Sequence, residues 1–159
     1  MNAIEMLEGQ HTAVERLFEE LEEARGDEKQ ALFDELADSL AMHAMIEERH
    51  FYRALAGADT DDLLERSRDE HLQMKRALAE LLTLDAENER FDAKMAVLRE
   101  VVEQHVGEER EEVFPLAERL FDEEELEALA QEMLATMADI MQGEPRYEVP
   151  AELEHGPER

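Results

Sequence analysis

Six side chains able to bind a cation recur through the chain in matched halves: His11, His43 and Glu47, then His71, His105 and Glu109. His11 and His71 lie 60 positions apart, and His43–His105 and Glu47–Glu109 each 62. Each half therefore offers a lone histidine followed by His-x-x-x-Glu. Residues at i and i+4 share a helix face, so His43 can act with Glu47 and His105 with Glu109. The donors are imidazole nitrogen and carboxylate oxygen, and no cysteine exists to add sulfur. Imidazole suits Fe, Zn, Cu or Ni, and carboxylate moves the preference toward Fe or Mn. Six ligands are too many for one tetrahedral zinc. Four imidazoles and two carboxylates fit a dinuclear centre. The competing explanation is a buried polar layer that satisfies itself without metal. His-x-x-x-Glu alone decides nothing in a chain with 44 acidic residues. His11 also meets that spacing with Glu15, which falls off the apolar seam.

Those residues need elements to hold them at one depth, and apolar residues recur at helical spacing in five segments. The first runs from about Asn2, as N-cap, to Ala24, along Ile4, Leu7, His11, Val14, Phe18 and Leu21. The second is capped by Asp27 and carries Leu36, Leu40, His43, Glu47 and Phe51. The third is capped by Thr60 and carries Leu64, Ser67, His71, Met74 and Leu78. The fourth runs through Phe91, Leu98, Val102, His105, Glu109 and Leu120, with Pro115 kinking its end. A fifth spans about Asp122 to Met141. Only 5% of residues are aromatic, with 6 Gly and no Trp, which favours helix over sheet. The fold expected is all-α: an up-down-up-down four-helix bundle with a fifth C-terminal helix over residues 1–142. Residues 143–159 are expected to form an irregular tail. At about 1.5 Å rise per residue, His11 with His43, and His71 with His105, fall within about one turn of the same level across their loops.

The net charge of −28 makes nucleic acid and anionic membrane surfaces poor partners. No apolar run approaches the roughly 20 residues of a bilayer span, and the start lacks a secretory leader pattern. The expected location is the cytoplasm.

His11, the HAMIEERHFY segment around His43 and Glu47, the DEH at 69–71 and the HVGEEREEVFPL segment around His105 and Glu109 resemble the hemerythrin-like HHE cation-binding family over about residues 3–140. The resemblance implies a non-haem di-iron centre, oxo- or hydroxo-bridged, with Mn or Zn as misloaded substitutes. Its ligands would be His11, His43, His71 and His105, with Glu47 and Glu109 as bridges. Dioxygen, peroxide or nitric oxide would be the small-molecule partner. Three function classes follow: an oxidoreductase consuming peroxide or nitric oxide, an iron or oxygen sensor, and iron handling without catalysis. The chain departs from the oxygen carriers of that family at two points. They carry His-x-x-x-His on the third helix, where this chain has Lys75 after His71 and Ser67 before it. They place Asp five residues after the last histidine, where this chain has Arg110. One iron is expected to lack a protein ligand, which argues against reversible oxygen carriage. A ferritin-like carboxylate site built on Glu8-x-x-His11 and Glu47-x-x-His50 fits poorly, because both motifs lie on adjacent helices. His50 is expected to be exposed or just behind the ligands, and His155 to sit alone in the tail.

Overall fold

The computed structural model describes residues 1–57 and 59–155, and every regular element among them is helical. α1 (Ala3–Glu23) begins at a capping box, in which the Asn2 side chain accepts from the Glu5 amide and Glu5 reaches back to the Asn2 amide. Gly26, at φ +60°, turns the chain into α2 (Gly26–Ile46) and donates its amide to Glu87 Oε1 at 2.7 Å. This left-handed position suits glycine. Asp27, expected as the cap of α2, lies inside its first turn. After α2 comes a π-helical segment, Glu47–Phe51, and then the short α3 (Tyr52–Leu55). Thr60 precedes α4 (Asp61–Leu82), but its hydroxyl donates to the Leu55 and Gly57 carbonyls rather than capping the helix.

α5 (Phe91–Glu108) leads into a second π segment, Glu109–Val113, and then α6 (Phe114–Leu120). Pro115, in the first turn of α6, has no N–H to return up the helix. α7 (Glu123–Ile140) starts at a second capping box, formed by Asp122 and Glu125. Residues 143–159 were expected to be irregular; the structure corrects this over 143–155, and 156–159 lie outside the described residues. Pro145–Glu148 form a 3₁₀ turn and Val149–His155 a helix, α8. The turn packs on α2 and α8 on α4. Val149 is fully buried, and Arg146 bonds Asp38 at 2.8 Å. A buried anchor at each step outweighs the prolines and the absent periodicity.

α1 packs on α2, and α4 on α5, while α7 lies against α1 and α2. The core they enclose comes in two blocks. One gathers Phe18, Phe33, Leu36, Leu78, Phe91 and Leu98. The other gathers Leu7, Ile46, Phe51, Leu64, Val113 and Met133. The break falls between Leu7 and Val14, Leu64 and Met74, and Val102 and Val113, while on α2 the two blocks interleave from Ala41 to Ile46 around His43. Every one of those gaps holds one of the four histidines. No helix among the described residues is long and apolar enough to cross a membrane.

Candidate metal centre

His11 on α1, His43 on α2, His71 on α4 and His105 on α5 are all buried, and Glu47 and Glu109 are completely so. The level expected from the loops is met, with ring centroids 4.9 Å apart for His11 and His43 and 4.6 Å for His71 and His105. All four rings turn Nε2 inward. His11 Nε2 lies 3.0 Å from Glu109 Oε1, and His43 Nε2 3.0 Å from Glu47 Oε1. His71 Nε2 lies 2.9 Å from Glu47 Oε1, and His105 Nε2 3.1 Å from Glu109 Oε1. His43, Glu47, His105 and Glu109 each bring one donor atom within 4.8 Å of all the others.

The opposite ring nitrogens face outward to acceptors. Nδ1 of His11 donates to Glu8 at 2.9 Å, that of His43 to Gln10 at 2.6 Å, and that of His105 to Glu70 at 2.8 Å. His71 Nδ1 faces Glu48 at 3.5 Å. Outward N–H groups leave lone pairs on the inward Nε2 atoms. Those lone pairs then meet carboxylate oxygens, and His71 Nε2 meets His105 Nε2 at 3.1 Å. Acceptor against acceptor is repulsive unless a positive charge sits between them. His43 Nε2, Glu47 Oε2 and Glu109 Oε2 are moreover buried without a hydrogen-bond partner. This donor set fits a cation, and a self-satisfied polar layer does not leave such atoms bare.

Without metal, protons supply the charge. Burial depresses the His43 pKa, but Glu47 and Glu109 outweigh it and raise it to about 9. His105 is also depressed by burial and raised well above its ordinary value by Glu109. Burial alone would raise Glu47; His43 and hydrogen bonds, Glu109 and His105 among them, hold it well below the usual carboxylate range. Glu109 also stays low, as its pairing with His105 overcomes both burial and the nearby Glu47.

Tyr52 is the member that the sequence reading missed. It is fully buried, its hydroxyl 3.3 Å from both Glu47 Oε1 and His71 Nε2. On an α-helix, residues five apart point about 140° away from each other. The π segment changes this: the Tyr52 amide donates to the Glu47 carbonyl, five residues back. Tyr52 thereby turns onto the face of Glu47 and lies where the expected gap beside His71 would be. The second half repeats the device, with the Phe114 amide donating to the Glu109 carbonyl. Tyr52 stacks on His71 at 5.4 Å and Phe114 on His11 at 5.9 Å. The available signal was an aromatic at Tyr52 and Phe114, again 62 positions apart.

Neither neighbour of His71 replaces a ligand. Lys75 is buried with Nζ held at 3.1 Å by Glu48 and by Glu152 of α8, and Ser67 Oγ is buried without a partner. Arg110 bonds Glu8 at 2.9 Å. His50, expected to be exposed or just behind the ligands, is half-buried and lies 2.7 Å from Thr136 Oγ1 on α7. The side chain of His155 lies outside the described residues.

A layer of four inward-turned histidines and two glutamates between two apolar blocks defines a helical cation-binding domain. The chain belongs to the Hemerythrin HHE cation binding domain family, whose model matches residues 2–117. It is 30% identical over 150 residues to an uncharacterized protein of Mycobacterium tuberculosis, covering 92% of this chain and 91% of that one. A DNA nickase of Nostoc is 29% identical over 147 residues, which cover 89% of this chain but 41% of the nickase. Among solved structures, an HHE cation binding domain-containing protein from Mycobacterium kansasii matches with a TM-score of 0.79 and 27% identity. That match covers 99% of this chain and 95% of the other.

Proposed function

We propose that the chain is a di-iron protein that binds or turns over a small oxidant such as dioxygen, peroxide or nitric oxide. The observation that carries this reading is the convergence of four Nε2 atoms on two buried carboxylates, with Glu47 Oε2 and Glu109 Oε2 left without hydrogen-bond partners. His11, His43, His71 and His105 would be terminal ligands, and Glu47 and Glu109 would bridge. Tyr52 would stand beside His71, where its hydroxyl can complete the set or hold a proton next to it. Iron in such a site supplies one-electron redox chemistry and open positions for small oxidants.

The residues around the ligands do the rest. Glu8, Gln10 and Glu70 fix the tautomer and tilt of three rings. The apolar blocks above and below exclude water from the layer. α1, α2–α3, α4 and α5–α6 are read as an up-down-up-down bundle, with α7 as a fifth helix. Protonated His43 and His105 balance Glu47 and Glu109 when metal is absent. The bundle can then stay closed, which favours binding or reaction over sensing by collapse.

Metal analysis of the purified protein tests the reading, with about two irons per chain expected. His43→Ala and His105→Ala should lose metal, and His50→Ala should keep it. Full iron retention in His43→Ala would overturn the assignment. In the ferric protein, Tyr52→Phe should lose any visible absorption due to a phenolate on iron while keeping its helicity.

A further inference from the structure

Seven buried side-chain atoms among the described residues have no hydrogen-bond partner, and all but one have another role. His43 Nε2, Glu47 Oε2 and Glu109 Oε2 belong to the cation site itself. His71 Nδ1 has Glu48 Oε1 at 3.5 Å, Glu108 Oε1 has Arg66 Nη1 at 3.3 Å, and Glu152 Oε2 has Lys75 Nζ at 3.1 Å. Ser67 Oγ is left over. Its residue is 0% exposed, yet no hydrogen bond, ion pair or place in the donor set accounts for the hydroxyl.

A serine inside a helix ordinarily turns to solvent or bonds the carbonyl four residues back, and Ser67 does neither. It lies on the inner face of α4, in the buried row between Leu64 and His71. Residues four apart share a face, so Ser67 stands one turn, about 6 Å, before His71. One turn beyond His71 the position belongs to Lys75, which Glu48 and Glu152 hold. The Tyr52 ring stacks on His71 at 5.4 Å and lies 6.0 Å from the guanidinium of Arg68, the residue after Ser67. Ser67 therefore borders the same corner of the centre as Tyr52. A cation claims the carboxylates and imidazoles, whereas a hydroxyl keeps its proton and needs an acceptor.

We propose that Ser67 donates a hydrogen bond to the small molecule held at the His71–Tyr52 corner, and so selects guests whose outer nitrogen or oxygen accepts one. The inference deepens the di-iron reading and rests on it for the presence of a guest. Ser67→Ala tests it, because alanine is a strong helix former and the variant should fold. Stripped of metal, the variant should melt no lower than the wild type, since no bond is lost. Loaded with iron, it should hold as much metal as the wild type but bind azide at least tenfold more weakly, read by visible absorbance. A stripped variant that melts several degrees lower would show that the hydroxyl serves the fold, and overturns the proposal. Full iron with azide affinity unchanged by Ser67→Ala, or full iron with no azide binding in the wild type, overturns it too and leaves the metal reading standing. A wild-type protein that takes up no iron overturns the metal reading, and this inference falls with it.

Discussion

Chelating the metal leaves the centre to protons, and the pH response of the stripped protein follows from its imidazole–carboxylate pairs. His43 has a folded value of about 9 against an ordinary 6.5. Because the folded value is the higher one, its stabilisation is complete below pH 6.5 and is lost as pH rises through 9. A gap of about 2.5 units is worth about 3 kcal/mol. His105 acts in the same direction. Glu47 and Glu109 act oppositely: their folded values are depressed, so their contribution is present above their ordinary range and lost as pH falls through the folded values. The stripped protein should therefore be most stable between about pH 5 and 6.5 and lose about 3 kcal/mol or more by pH 10. For a domain of this size that is a fall of about 6–12 °C in melting temperature. The same protons compete with metal, so affinity for iron should rise about 50-fold from pH 7 to 9 through His43 alone. Thermal melts of chelated protein across a buffer series measure the first effect, and competition with a chelator of known affinity the second. A melting temperature that stays flat or climbs between pH 6.5 and 9.5 would refute the reasoning.

Glu70→Ala removes the acceptor for His105 Nδ1 and should weaken metal binding about 10- to 100-fold by chelator competition, with helicity intact. Lys75→Met leaves the half-buried carboxylates of Glu48 and Glu152 without their lysine and should cost about 3 kcal/mol in denaturant unfolding. Arg146→Ala unties the tail from Asp38 and should cost about 1.5–3 kcal/mol, while bound iron per chain stays the same.

The main helices and the four histidines were readable because both rest on the 3.6-residue period. An apolar stripe interrupted once per helix marks helix, face and depth together. Tyr52 was not readable for the same reason: it reaches the centre only because the π segment breaks that period, and nothing in EERHF announces the break. Glu48 and Glu70 were invisible on different grounds, and Glu8 stood out only as part of a poorly fitting ferritin-like motif. Among 44 acidic residues, the ones that brace a ring look like ordinary surface charge until their distances are known. The tail was misread because its order comes from single anchors, Arg146 on Asp38 and buried Val149, rather than from any repeating pattern.

The matched aromatics Tyr52 and Phe114 differ by a single oxygen, and that atom gives the centre a front and a back. The two helix pairs are copies as scaffolds, each with its histidines, its glutamate and its π turn. As environments they are unlike: the ring stacked on His71 carries a hydroxyl that can donate, and the ring stacked on His11 carries none. A lopsided guest such as nitric oxide would feel that difference as a preferred orientation, whereas a symmetric one such as dioxygen would have its two ends made unequal. The repeated scaffold forms the vessel, and one hydroxyl within it gives it polarity.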